Sequence, residues 1–357
     1  MTTLAELTTL RIGGPVGRLV ETTTEEDLIA AVRETDAAGD PLLVLGGGSN
    51  VVAGDAGFPG VVVRDLRTEV TVPDASACAG TSLTATAGTR WDDVVARAVA
   101  EHWLGVEALS GIPGSTGATP VQNVGAYGQD VAQTIATVRT WDRQASRTHT
   151  MALVDLQFSY RDSVLKRSLR GADGGPSAFA PTPRFVVLDV TFQLRTGDLS
   201  APVAYPELAR ALGVAVGERA PIEEVRAAVL ALRAAKGMVL DPADHDTWSV
   251  GSFFTNPVLT DDDTARLPDD APRFAAGDGL TKTSAAWLIE HAGFERGHGL
   301  PGPAALSTKH PLAITNRGGA TSSDVLALAR DVREGVRDAF GIELVPEPLL
   351  VSCTLGD

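Results

Sequence analysis

Apolar positions fall into two periods along the chain, and each period assigns an element. Thr24-Glu-Glu-Asp precedes Leu28, Ile29, Ala31 and Val32, so a threonine cap with acids in the first turn predicts a helix over 24–33. Further helices are predicted from Asp92 to about Ala100, over Pro221–Lys236 behind a proline, and over Ser284–His291 ahead of Gly293. Ser323–Phe340 carries Val325, Leu328, Val332, Val336 and Phe340 on one stripe and is followed by Gly341, the pattern of a long helix with one buried face. Alternation over Phe185–Leu194 predicts a strand. The short apolar runs Pro41–Leu45, Val61–Val63 and Thr84–Ala87 predict three more.

The order shows no regular strand–helix alternation and no internal repeat, which places the chain in the α+β class. Three segments are expected: 1–69, a small mixed unit; 70–196, mostly strands; and 197–357, helices around short strands. Gly171–Pro183 is a low-complexity insertion and reads as a mobile loop between strands.

Two glycine clusters interrupt this pattern. Gly111–Gly128 holds five glycines and two prolines, with Gln122, Asn123 and Tyr127 among them, and Gly46-Gly-Gly-Ser-Asn50 follows the strand at Pro41–Leu45. Glycine gives up packing and chain entropy, so such density suits a backbone that must approach a ligand closely. Each cluster alone also fits an ordinary turn. A dinucleotide fingerprint fails because Val51 stands where its third glycine belongs, and no G-K-S/T sequence exists for a P-loop. The pair instead suggests a two-loop cradle for a diphosphate on a fold other than Rossmann.

With 45 acidic and 30 basic residues among 357, the net charge is -15, which argues against nucleic acid or an anionic membrane as partner. An anionic substrate must therefore meet a local cluster of cations. Cys78 and Cys353 have no metal or disulfide spacing and read as buried thiols, and no metal is expected. Asp261–Asp263 and Asp269–Asp270 read as solvated loop charges. The N-terminal stretch lacks an apolar signal core, and no long charge-free apolar span occurs further along. A cytoplasmic protein is expected.

The run Gly111–Gly128, with Leu45–Asn50, Phe158-Ser-Tyr-Arg-Asp-Ser163, Gly251-Ser-Phe-Phe-Thr-Asn-Pro257 and Pro346-Glu347 in that order, resembles the UDP-N-acetylenolpyruvoylglucosamine reductases, in their longer subclass with a tyrosine loop. The resemblance runs from Leu7 to near Val351. It implies a two-subdomain FAD-binding fold of the PCMH/vanillyl-alcohol-oxidase type, then an α+β substrate-binding domain, with residues near 343–357 returning to the flavin domain. It also implies non-covalent FAD, NADPH as reductant, UDP-N-acetylglucosamine enolpyruvate as substrate, and a monomer serving peptidoglycan precursor synthesis.

Carried over residue by residue, Gly46, Gly47, Gly48, Ser49 and Asn50 contact the cofactor. So do Ile112, Pro113, Gly114, Ser115 and Gly117, then Gln122, Asn123, Gly125 and Ala126. Arg161 meets the charge that develops on the substrate carboxylate, where a local ion pair with Asp162 is the ordinary alternative. Ser252 is the proton donor to carbon, against the role of a strand-start serine bonded to its own backbone. Glu347 orients the enolic intermediate, though taken alone it is a surface acid. Tyr127, Tyr205, Arg233, Lys236, Asn256, His310 and Asn316 contact the substrate. Arg233 and Lys236, three apart on one predicted helix, also fit a solvated face, and Pro206 departs from the expected tyrosine-loop pattern. Two other functions share the pattern: an oxidase of this fold acting on an alcohol or hydroxy acid, and a non-catalytic flavin or sugar-nucleotide binding protein. A flavin tethered through His or Cys, common in the oxidases, is not foreseen, since neither residue occurs in the glycine loops.

Overall fold

A computed structural model describes residues 1–76, 80–277 and 279–356; Cys78 lies outside them. The chain forms two compact units, one of Val16–Gly47 and Pro59–Ala235, the other of Met1–Pro15, Gly48–Phe58 and Lys236–Asp357. These boundaries differ from the three consecutive segments because distant pieces share cores. Leu10, Ile12 and Val52 are buried in the same cluster as Phe253, Leu288 and Val332, and Leu349–Val351 pairs in parallel with Val51–Ala53.

The larger unit is built on an antiparallel sheet in the order Arg147–Ala152, Ile135–Asp142, Phe185–Thr196, Gly80–Thr86, Val70–Ser76. Thr81, Leu83 and Ala85 are buried while their neighbours are less so, the period of two expected of a strand with one covered face. The long strand Phe185–Thr196 does more than alternate. Its register against Ile135–Asp142 slips between Arg139↔Asp189 and Thr140↔Val187, leaving Leu188 as an extra residue. This bulge reverses the facing of the residues on either side of it. Val186 and Leu188 join a core with Leu28 and Val32 of the helix Glu25–Ala38. Val190, Phe192 and Leu194 join another with Trp91, Val94 and Val95 of the helix Trp91–Ala100. The bulged carbonyl stays satisfied, because Leu188 O accepts from Ala87 N–H and from Arg67 Nη2, both at 2.9 Å. A three-strand sheet, Val16–Thr22, Phe58–Asp65 and Leu42–Val44, completes the first of these cores.

The second unit centres on the helix Ser322–Phe340. Thr321 accepts from Asp324 N–H in a capping box, and Gly341 at φ 68° closes the helix. Its buried face holds Val325, Leu328, Ala329, Val332 and Val336.

Three local expectations change. Asp261–Thr264 is a helical turn capped by Thr260, so the acids form its first turn, where the helix dipole favours them. The 171–183 insertion is tied down at its end: the buried Thr182 hydroxyl donates to Leu42 O at 2.9 Å and accepts from Val44 N–H at 2.7 Å. The helix expected to reach Lys236 ends at Ala235, with Gly237 at φ 66° just beyond. No helix among the described residues is long and apolar enough to cross a membrane, and they contain no cluster of metal-binding side chains.

Phe192 is fully buried, 5.6 Å from Trp91 ring to ring. Phe192→Ala is expected to cost about 3–5 kcal/mol of stability, read as a lower urea midpoint at unchanged slope.

Candidate active site

The strand Leu42–Val44, paired in parallel with Val61–Val63, delivers the first glycine loop. That loop meets the second loop main chain to main chain. A Cβ on Gly47 would lie 2.7 Å from Gly114 Cα, and one on Gly46 would lie 2.2 Å from Ser115 Oγ. Side chains are excluded here by sterics, as the density of glycine suggested. The second loop is fixed by its own amides: Thr116 N–H donates to Thr89 O at 2.8 Å and Gly117 N–H to Ala87 O at 2.9 Å. Gly117 has no room either, since its Cβ would stand 2.5 Å from that of Ala87. Gly48 falls in the other unit at φ 64°, where a Cβ would be 2.1 Å from Leu7 O.

Asp92 anchors the start of the second loop, and sequence reasoning missed it. Its carboxylate accepts from Gly111 N–H at 2.7 Å and takes Arg226 bidentately at 2.8 and 2.9 Å. Burial opposes its ionisation, but Arg226 and the Gly111 amide outweigh burial and hold the carboxyl below its usual range. Gly111, Ile112, Pro113 and Gly114 are half-buried, whereas Ser115 is buried.

The remainder of the run forms a tight hairpin. The short helix Thr119–Gln122 ends at Asn123 with φ 44°, Gly125–Ala126 pairs with Gln129–Asp130, and Tyr127 and Gly128 turn between them at φ 50° and 86°. Two positive φ values mark the mirror-image turn that hairpins favour. A tyrosine held there costs about 1–3 kcal/mol, a sign of function. The buried Asn123 side chain donates to Ser159 O at 2.9 Å and accepts from Ala132 N–H at 3.2 Å, so it binds the hairpin to the Phe158–Ser163 motif. Gln122 Nε2 is buried with no hydrogen-bond partner among the described residues.

Arg161 occupies the two-residue turn between Ser159 and Asp162, at φ 55°. The ion pair with Asp162 does not form, because Asp162 pairs with Arg167 instead. The Arg161 guanidinium donates to Gly125 O at 2.8 Å and Asn123 O at 3.4 Å. Its charge opposes the effect of burial, which pushes the Asp130 carboxyl up.

Tyr205 caps the helix Pro206–Leu212, which explains Pro206: it fills the first helical position, where proline's missing N–H costs nothing. The rings of Tyr127 and Tyr205 meet edge-on at 5.5 Å. Burial pushes the Tyr127 phenol up to about 12. Arg233, on the helix Ile222–Ala235, is half-buried near Tyr127, and desolvation brings its guanidinium down to about 10. Lys236 lies past the helix end and belongs to the other unit, so it shares no helical face with Arg233.

In that other unit, the segment after Ser252 runs antiparallel to the segment before Glu347. Thr255 N–H donates to Val345 O at 3.0 Å, and Glu347 N–H donates to Phe253 O at 2.9 Å. This pairing sets Glu347 opposite Phe253, the residue that follows Ser252. The half-buried Ser252 hydroxyl has no hydrogen bond among the described residues, so the alternative of a serine bonded to its own backbone does not arise. Asn50 braces the acid: its Nδ2 donates to Glu347 O at 3.4 Å and its carbonyl accepts from Leu349 N–H at 2.9 Å.

Two substrate expectations change character. Asn316 is 3% exposed and saturated: Nδ2 donates to Leu10 O and Arg11 O, and Oδ1 accepts from Gly318 and Ala320 N–H. An amide has no further capacity, so this residue ties the N-terminal segment down instead of meeting substrate. Asn256 Oδ1 accepts from Ala285 N–H at 2.9 Å, capping a helix. His310 is half-buried, and its carbonyl accepts from Ala313 N–H at 3.2 Å.

The larger unit fits a dinucleotide cofactor. Its two loops approach through main chain, which leaves N–H groups as the local donors, and the orphaned Gln122 amide is a buried donor that a bound group would satisfy.

Comparison with known proteins agrees. Residues 17–150 match the family model of an FAD binding domain, and residues 241–351 match that of the UDP-N-acetylenolpyruvoylglucosamine reductase C-terminal domain. The chain is 53% identical to the UDP-N-acetylenolpyruvoylglucosamine reductase of Cutibacterium acnes, over 99% of this chain and 90% of that protein. It is also 53% identical to the reductase of that name from Streptomyces avermitilis, over 99% and 94%. The crystal structure of the Thermus caldophilus reductase superposes with a TM-score of 0.63 at 25% identity, over 98% of this chain and 97% of that one.

Because Gly47 abuts backbone, Gly47→Ala is expected to fold yet retain at least about tenfold less FAD, measured as the ratio of flavin to protein absorbance. Gly319→Ala, where a Cβ meets nothing within 4 Å, should leave that ratio unchanged.

Proposed function

The chain belongs to the UDP-N-acetylenolpyruvoylglucosamine reductase family, and from that premise we propose how its own residues carry the reaction. It is an NADPH-dependent flavoprotein reductase that converts UDP-N-acetylglucosamine enolpyruvate to UDP-N-acetylmuramate for peptidoglycan synthesis. When bound, FAD supplies the two-electron chemistry, taking hydride from NADPH and giving it to the enolpyruvyl double bond. Gly46, Gly47, the 111–117 loop and Gln122 hold the cofactor, with Ser49 and Asn50 contributing from the end of the first loop.

Hydride addition to the alkene drives charge into the neighbouring carboxylate, and an unaided site would not tolerate it. Arg161 meets that charge with a planar guanidinium whose orientation is set by the carbonyls of Asn123 and Gly125. Ser252 donates the proton to carbon, and Glu347 orients the enolic group. The observation that supports this assignment is the pairing of Glu347 with Phe253, which brings the acid's backbone alongside the residue that follows Ser252, whose hydroxyl has no protein partner among the described residues. Tyr127, Tyr205, Arg233 and Lys236 hold the UDP diphosphate, with Asn256 and His310 bounding the substrate. The reading extends to a monomer acting in the cytoplasm on a freely diffusing nucleotide sugar, in keeping with the net charge of -15.

Ser252→Ala is expected to lower turnover by roughly 10² to 10⁴ while NADPH still bleaches the flavin in anaerobic stopped flow. Recolouring by substrate at the wild-type rate would remove Ser252 from the mechanism. The diphosphate contacts predict a pH profile. Tyr127 stays a phenol donor to about pH 12, whereas Arg233, brought down to about 10, is charged below that value and loses its proton above it. Substrate KM should therefore be flat from about pH 7 to 9 and rise as pH passes toward 10, a rise absent in Arg233→Gln.

A further inference from the structure

Glu107 is fully buried and takes no part in the chemistry of Arg161, Ser252 and Glu347. It opens the single helical turn Glu107–Leu109. One carboxylate oxygen, Oε2, accepts from Gly105 N–H at 2.6 Å. The other, Oε1, accepts from Gln129 Nε2 at 3.0 Å and from Ala201 N–H at 2.7 Å. Every partner is a donor, the set that an acceptor-only carboxylate takes. It forms no ion pair among the described residues. A buried charge held by neutral donors alone is costly to keep.

The bonds lead to two particular places. Gln129 lies in the strand that leaves the Tyr127–Gly128 turn, and its own Oε1 accepts from Ala108 N–H at 2.8 Å, so the Glu107 turn and Gln129 grip each other twice. Ala201 begins the stretch that runs through Val203 to Tyr205 and its helix. Ala108, Val203 and Leu208 then share one buried cluster, against which Tyr127 packs.

We propose that Glu107 is a positioning residue for substrate binding: one buried carboxylate sets the spacing of the hairpin bearing Tyr127 and the segment bearing Tyr205, and so fixes the tyrosine pair that holds the diphosphate. This rests on the reading of those tyrosines as substrate contacts. In Glu107→Gln the side chain keeps its shape, but its new NH2 must face either Gly105 N–H, which unseats the turn that carries residue 107, or both Gln129 Nε2 and Ala201 N–H, which loosens the two connections together.

The test is calorimetric binding of UDP-N-acetylglucosamine enolpyruvate to oxidised, FAD-loaded enzyme without NADPH. Glu107→Gln is expected to weaken binding by about tenfold with flavin content retained. Tyr127→Ala should weaken it as well, and in the double variant the two losses should fall short of multiplying, because part of what Glu107 positions is already gone. Binding by Glu107→Gln within about twofold of wild type, or losses that multiply in the double variant, would overturn the proposal. Normal binding by Tyr127→Ala would instead overturn the reading beneath it, and the proposal with it. Should Glu107→Gln fail to fold, Gln129→Leu cuts only the link to the hairpin, and the same outcomes decide.

Discussion

The larger unit depends on the contact of two glycine loops with no side chain between them. Gly47 against Gly114 leaves no space for a Cβ, and every neighbouring element is arranged to hold the contact. A parallel strand pair delivers one loop. The other is pinned by Thr89 and Ala87 carbonyls and by Asp92 at its entrance. Such fixation matters because main-chain N–H groups serve a phosphate only when their directions are set before it arrives.

The same economy recurs around the side chains proposed to react. Arg161 is oriented by two backbone carbonyls of the run that continues from the second glycine loop, so that loop and the cation proposed to act on substrate share one scaffold. In the other unit Glu347 is placed by backbone pairing with Phe253 and by Asn50. Three residues of this region, Asn123, Tyr127 and Arg161, are left-handed without being glycine, a local strain that the placement of their side chains would repay.

Much of this was legible in the sequence wherever the signal was local. The cap and stripe of Ser322–Phe340, the threonine cap of Glu25–Ala38, and the glycine loops all arise from neighbours within a few residues. What escaped was long-range or depended on register. Nothing near Phe185–Thr196 announces that Leu188 is a bulge and that one strand therefore serves two cores. Asp92 and Arg226 are 134 residues apart, and Glu107 meets Ala201 across 94. Asn316 looked like a ligand contact because its motif does, yet four protein partners exhaust it. Lys236 looked helical because Arg233 is, but Gly237 ends the helix one residue too early.

The most direct measurement is an anaerobic single turnover: the purified flavoprotein is reduced with one equivalent of NADPH, one equivalent of UDP-N-acetylglucosamine enolpyruvate is added, and flavin absorbance is monitored. The expected result is bleaching, then full recolouring with formation of the lactyl ether. Bleached flavin that recolours only when oxygen is admitted would contradict the assignment of the substrate half of the reaction to this chain.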